Sequence, residues 1–176
     1  MATRRRVIAG LTLGAGVAVI GTASERDAVA EEISRNMESI HQEIHFKAVP
    51  ERVYAALTDA AQFQEIVLLS GAVKSGMLKA TQPAQISLDP RGAFSIFGGF
   101  VTGRQIELVP SVRIVQAWRP ADWEAGVYSI ARFALSKQAA GTLLVFEQTG
   151  FPKGAAEHLP QGWQMNYWQP LEKFLA

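Results

Sequence analysis

The chain has 176 residues, of which 48% are apolar, with 17 basic and 16 acidic side chains and no cysteine. This length and apolar content suit about one domain with a single core. The absence of cysteine excludes disulfides, thiolate catalysis and thiolate zinc sites, and the balanced charge gives no reason to expect a nucleic acid as partner.

The N-terminal segment differs in composition from the rest of the chain. Three consecutive arginines are followed by an uncharged, mostly apolar stretch and then by an A-x-A pattern that ends at Ala30. This layout is typical of an export signal, and the paired Arg4 and Arg5 resemble the twin-arginine type. We therefore expect residues 1–30 to be recognised by twin-arginine export machinery and residues 31–38 to be a linker. The domain would be periplasmic or otherwise exported, or anchored in the membrane if this segment is not cleaved.

The domain predicted for residues 39–176 begins with a strand. Residues 39–49 alternate, with Ile40 and Phe46 on an apolar face and His41 and His45 on a polar face, which is the period of a half-buried strand. Residues four apart on a strand are separated by about 13 Å, so the two histidines cannot bind one ion together. No metal site is predicted.

Two helices are predicted after this strand. Pro50 suits the first turn of a helix, where its missing N–H is not needed. Asp59 can cap a second helix that runs to about Leu68. Residues 70–83 show no clear period, and no element is predicted there.

From residue 84 onward the pattern changes to short strands separated by turns. The sequence Asp89-Pro90-Arg91-Gly92 predicts a hairpin turn between two short strands. Longer strands follow, with breaks at Pro110-Ser111 and around residues 139–141. Because the connections are short, neighbouring strands are expected to be antiparallel.

The chain ends in a predicted helix with a large aromatic face. Trp163, Tyr167 and Leu171 recur at helical spacing. Pro170 is expected to kink this helix, because it cannot donate to the Asn166 carbonyl. The helix is the only late element long enough to cover the apolar face of the sheet, which predicts an α+β fold.

Three stretches resemble a known family: FKAVPERVYAALTDA, GAFSIFGGFVTGRQIELVPSVRIVQAWRP and LPQGWQMNYWQPLEKFL. Together they resemble the helix-grip (SRPBCC) superfamily, which includes START lipid-binding domains and polyketide cyclases. The nearest group in it is the one named for activators of the heat-shock-protein-90 ATPase. The resemblance covers residues 39–176 and implies a curved antiparallel sheet of six or seven strands around a long C-terminal helix. It also implies an apolar pocket between sheet and helix.

A set of inward-facing side chains is predicted to line this pocket. Gln116, Ser129 and Gln148 fall on the apolar faces of their strands, and a few polar groups among apolar walls are typical of small-molecule pockets. The alternative is that these three groups are satisfied within the core. Trp118 and Trp123 flank a loop that can form the mouth. The predicted lining is Phe94, Ile96, Gln116, Trp118, Ser129, Phe133, Phe146, Gln148, Trp163 and Tyr167.

No residue pattern points to catalysis or to a cofactor. There is no nucleophile with an evident histidine and acid partner, and His158 stands alone. Together with the export signal and the pocket that the resemblance implies, these observations favour an exported protein that holds a small apolar or amphipathic ligand. One alternative is a cyclase- or hydrolase-like enzyme with a buried acid as base in the same cavity. Another is a protein-interaction or chaperone-cofactor-like module, although export would separate the chain from a cytosolic chaperone.

Overall fold

The computed structural model describes residues 38–176. The predicted export signal, with Arg4 and Arg5, lies outside the described residues, and so does the predicted linker except for Glu38. Glu38 is the first residue of the first strand rather than the last of a linker. Within the described part, no helix is long and apolar enough to cross a membrane.

The described residues form a strand, three helices, six further strands and a final helical segment. The bounds are β1 (Glu38–Phe46), α1 (Pro50–Thr58), α2 (Ala60–Leu69), α3 (Gly71–Lys74), β2 (Gln85–Ile86), β3 (Ala93–Ile96), β4 (Val101–Val109), β5 (Arg113–Pro120), β6 (Ser129–Gln138), β7 (Gly141–Phe151), α4 (Leu159–Trp163) and α5 (Gln169–Leu175). A π turn (Gln164–Trp168) joins α4 to α5. We call residues 159–175 the closing helix.

The strands form one seven-stranded sheet in the order β1-β7-β6-β5-β4-β3-β2. Every neighbouring pair is antiparallel. Strands β2 to β7 follow one another as a meander, and β1 pairs with β7 at the far edge. The predicted hairpin turn at Asp89-Pro90-Arg91-Gly92 connects β2 to β3, as expected.

The first strand and the helix caps follow the sequence prediction. In β1, Ile40 and Phe46 are buried, whereas His41 and His45 are exposed. Pro50 is the first residue of α1. The Asp59 carboxylate accepts a hydrogen bond of 2.9 Å from the Gln62 N–H and so caps α2.

The closing helix packs on the concave face of the sheet. Trp163, Trp168 and Leu171 are almost completely buried there, with 2%, 1% and 0% of their surface exposed. The disruption expected at Pro170 takes the form of the π turn, in which the Gln169 N–H donates to the Gln164 carbonyl five residues earlier. The predicted α+β helix-grip fold is therefore confirmed.

Candidate functional site

A cavity of about 260 Å³ lies between the start of the closing helix and the adjoining ends of β4 and β5. Its walls are mainly aromatic and aliphatic, with a few polar groups. The lining residues are Leu78, Phe97, Phe100, Val101, Trp118, Pro120, Asp122, Trp123, Ala155, His158, Leu159, Gly162, Trp163, Asn166 and Tyr167. An apolar cavity with few polar groups is the usual form of a small-molecule site.

The loop after β5 forms one wall of this cavity, as the sequence suggested for the mouth. The Trp123 ring packs edge-on against Trp118, with 5.7 Å between the ring centroids and 74° between the planes. The Arg119 guanidinium holds the loop by donating to the carbonyls of Trp123 (2.6 Å) and Glu124 (3.1 Å). The position of Trp123 is therefore fixed by backbone as well as by ring contacts.

A tight turn between β3 and β4 supplies a further part of the wall. Phe97 adopts a φ of 53°, which is unusual for a residue with a side chain, and Gly98 and Gly99 follow with positive φ. This conformation brings the Phe97 ring to 5.4 Å from Tyr167 and to 6.1 Å from Phe63. The paired glycines mark the turn in the sequence, but their effect on Phe97 was not predicted.

A chain of hydrogen bonds runs beneath the cavity floor. The Trp163 indole N–H donates to Gln148 Oε1 (2.7 Å), Gln148 Nε2 donates to Ser129 Oγ (2.8 Å), and that hydroxyl donates to the Trp118 carbonyl (3.1 Å). The inward orientation predicted for Ser129 and Gln148 is confirmed, since both are fully buried. Their polar atoms are bonded to protein groups, as in the alternative interpretation.

A second, much smaller cavity of about 10 Å³ lies deeper in the fold, and it has room for about one water. Four of the predicted lining residues that lie away from the larger cavity meet here: Phe94, Ile96, Gln116 and Phe133. Gln116 Nε2 donates to Gln105 Oε1 (3.2 Å), and the buried Gln105 Nε2 has no partner within residues 38–176.

The predicted lining thus divides into three groups. Trp118, Trp163 and Tyr167 line the larger cavity, and Tyr167 also lines the smaller one. Ser129, Phe146 and Gln148 line neither of these two cavities and are packed in the core. The sequence did not predict the cavity-lining residues that lie in irregular segments: Leu78, Phe97, Phe100 and Asp122.

Tyr167 has the most distinctive surroundings of the cavity residues. Only 6% of it is exposed, and its hydroxyl oxygen accepts a hydrogen bond of 3.2 Å from the Trp118 indole N–H. Burial raises the pKa of Tyr167 well above its ordinary value, and the Trp118 bond opposes this only in part. The phenol therefore keeps its proton over the whole physiological pH range.

Asn166 and Glu38 are among the polar side chains that hold the closing helix and the segment before it. Asn166 accepts a hydrogen bond from the Ala72 N–H (2.9 Å) and donates one to the Gly162 carbonyl (3.0 Å). Glu38 Oε2 accepts from the N–H groups of Gly154 (2.9 Å) and Ala156 (3.0 Å), in the segment that leads into the helix. These backbone donors lower the pKa of the Glu38 carboxyl.

Charged side chains of the sheet pair with one another on its outer face. Arg132 pairs with Glu147 at 2.6 Å, and Arg113 binds Glu107 through two bonds of 2.7 Å. The hydrogen bond from Arg113 lowers the pKa of Glu107, the opposite of what a general base at neutral pH needs. Within residues 38–176, no group of three histidine or acidic side chains is arranged to hold a metal ion.

A family model described as "Activator of Hsp90 ATPase homolog 1-like protein" matches residues 47–176. The chain belongs to this family. A Schizosaccharomyces pombe protein is 28% identical over 157 residues, which are 89% of this chain and 43% of the relative. The human activator of 90 kDa heat shock protein ATPase homolog 1 is 31% identical over 91 residues, covering 52% of this chain and 27% of that protein. The chain thus spans less than half of the curated relatives it matches.

Solved structures share the fold of this family member. A Plasmodium falciparum HSP90 activator superposes with a TM-score of 0.64 at 24% identity, covering 79% of this chain and 95% of that one. A Chromobacterium violaceum protein gives a TM-score of 0.60 at 25% identity, covering 78% and 96%. These similarities support the helix-grip fold for nearly the whole length of each solved chain.

Proposed function

We propose that this family member binds a small apolar or amphipathic ligand in the larger cavity. The observation that carries the proposal is the cavity of about 260 Å³ under the first turns of the closing helix, walled by aromatic rings. An apolar cavity of about 150 Å³ already binds benzene. The volume therefore suits a ligand of about one or two rings rather than a long lipid chain.

Gly162 provides a direct test, because it lines the cavity and has open space around the position of a Cβ. In Gly162→Leu the new side chain should fill part of the cavity without a clash, and an α-helix favours leucine over glycine. We expect ligand binding to fall while the melting temperature stays unchanged or rises. Gln161→Leu, at the exposed neighbouring residue, is the matched control and should bind normally.

The ligand itself can be identified by native mass spectrometry of the chain purified from its own host and then denatured. A small molecule that is released reproducibly from the parent protein, and is absent from Gly162→Leu, would support the proposal. Equal amounts released from both proteins would place the ligand elsewhere.

A second function, as a chaperone cofactor, is favoured by the family. The family model and the human relative are both named for activation of a heat-shock-protein ATPase. The test is the ATPase rate of a purified 90-kDa heat-shock protein with and without this chain. A rate increase that is unaffected by Gly162→Leu would assign the function to a protein surface instead of the cavity.

We also propose that residues 1–30 direct export by the twin-arginine route, on the basis of Arg4, Arg5 and the apolar stretch that follows. Residues 1–35 fused to a reporter that folds in the cytoplasm should carry it across the membrane. The double substitution Arg4→Lys with Arg5→Lys should abolish transport. Unchanged transport of the substituted fusion would contradict this route.

A further inference from the structure

Tyr167 is the one residue that lines both of these cavities. Its ring centroid lies 4.1 Å from Trp163 and 5.4 Å from Phe97, so the ring is held between two other aromatic side chains. Its hydroxyl oxygen lies 3.2 Å from Trp118 Nε1, and Trp118 lines the larger cavity but not the smaller one. The hydroxyl group is therefore held beside a wall residue of the larger cavity.

The buried indole donors around the larger cavity are already engaged. Trp163 Nε1 donates to Gln148 and Trp118 Nε1 donates to Tyr167, whereas the half-buried Asn166 uses one of its two Nδ2 hydrogens on the Gly162 carbonyl. A phenol can accept and donate at the same time. Within residues 38–176, the Tyr167 hydroxyl accepts from Trp118, and no protein group accepts its proton. That proton is the buried donor left for a ligand.

We infer that the Tyr167 hydroxyl donates a hydrogen bond to a neutral acceptor on the ligand, such as a ketone, ester or amide carbonyl. This inference rests on the proposed function, because it needs a ligand in the larger cavity. The Trp118 bond fixes the phenol oxygen, so the donor is oriented before the ligand arrives. A ligand with an apolar ring system and one carbonyl at its inner end would give this phenol its acceptor.

A carboxylate at the same place would be disfavoured. Burying an anion is costly unless several donors surround it, and here one phenol is available. Asp122 adds a further carboxyl group to the lining of the same cavity. The site therefore selects neutral acceptors over anions, and its exposed rim, with His158, leaves room for a polar group at the outer end of the ligand.

Three small bicyclic probes test this inference on the full chain: indane, 1-indanone and indane-1-carboxylate. They share a ring system and differ in the acceptor. Calorimetry should show that 1-indanone binds roughly three- to tenfold more tightly than indane, the ratio expected for one neutral hydrogen bond. In Tyr167→Phe this preference should disappear, with indane binding little changed. Tyr128→Phe, at an exposed tyrosine that lines neither cavity, is the matched control and should keep the preference.

The infrared spectrum of bound 1-indanone gives a second readout that does not depend on the folding of a variant. In complex with the parent chain, the carbonyl stretch should lie at lower frequency than in an apolar solvent, because a hydrogen bond weakens the C=O bond. An unshifted carbonyl band would overturn the inference.

The outcomes separate this inference from the proposed function. Equal binding of indane and 1-indanone, both abolished in Gly162→Leu, would overturn the role of Tyr167 while keeping the cavity as the ligand site. That result would follow if the hydroxyl proton were donated inside the smaller cavity. Tighter binding of indane-1-carboxylate than of 1-indanone would overturn the neutral class of ligand. No binding of any probe would overturn both proposals.

Discussion

The two halves of the space beneath the closing helix are built from the same kinds of residue but filled differently. In one half, Phe133, Phe146 and Trp168 pack against one another, with Phe146 5.0 Å from Phe133 and 5.2 Å from Trp168. We call these three residues the closed end. In the other half, the open end, Phe97, Trp118, Trp123 and Tyr167 surround the larger cavity. Trp163 stands between them, 4.2 Å from Phe146 and 4.1 Å from Tyr167.

The strands explain the difference between these ends. At the closed end, β6 and β7 pair continuously from Ile130–Thr149 to Gln138–Gly141, so inward side chains form an unbroken surface. At the open end, pairing of β3 with β4 stops at Ile96–Val101, and irregular turns supply the wall. Aromatic residues thus form solid core where the sheet is regular and line a cavity where it gives way to loops.

Replacing a tryptophan by alanine should cost much more stability at the closed end than at the open end. Trp168→Ala should lower the free energy of unfolding by about 3–5 kcal/mol, because it leaves a void and removes the bond from Trp168 Nε1 to Gln42 (2.8 Å). Trp123→Ala, at the partly exposed cavity wall, should cost about 1 kcal/mol or less and should weaken ligand binding. Urea denaturation of both variants measures the difference. Similar losses of stability would contradict the distinction between the ends.

Breaking the hydrogen-bond chain beneath Trp163 should cost less stability than Trp168→Ala at the closed end but more than Trp123→Ala at the open end. Gln148→Leu leaves the Trp163 N–H without its acceptor and the Ser129 hydroxyl without its donor, so we expect a loss of about 1–3 kcal/mol. Gln138→Leu, at an exposed glutamine of the same sheet, should be nearly neutral. If both variants unfolded at the same urea concentration, the buried hydrogen-bond chain would make no net contribution to stability.

Substitution of Glu38 is expected to have the smallest effect on stability. The Glu38 carboxylate fixes the segment before the closing helix at the open end. Because its pKa is lowered in the folded chain, its contribution is present at neutral pH and is lost as pH falls through that lowered pKa. Thermal melts from about pH 7 to about pH 3 should show a difference between the parent chain and Glu38→Ala that narrows in acid.

Glu38→Gln is the control for this titration, since it keeps an acceptor oxygen but cannot ionise. It should retain slow hydrogen exchange at the Gly154 and Ala156 amides at every pH. Faster exchange in Glu38→Gln at neutral pH, equal to that of Glu38→Ala, would show that the negative charge is needed for the anchor.

Regular elements were predictable from the sequence, and the irregular parts of the cavity wall were not. The alternation in β1 and the cap at Asp59 are local patterns, and the structure follows them. Leu78 and Phe97 reach the cavity from segments without a period, so their positions depend on tertiary contacts. Trp168 was not placed on the buried face because α-helical spacing separates it from Trp163 by about 140°. The structure instead stacks the two rings, with 17° between their planes.

The π turn accounts for this stacking and has a consequence for sequence length. A π turn behaves as one extra residue inserted into an α-helix. Deleting Met165, an exposed residue of the turn, should restore α-helical pairing and bring Trp168 to about 40° from Trp163 around the helix axis. Trp168 and Leu171 should therefore stay on the sheet, and the helix should lose the turn without exposing a buried side chain. The π turn thus lets this family member carry one more residue between Trp163 and Trp168 than a regular α-helix with the same buried face would allow.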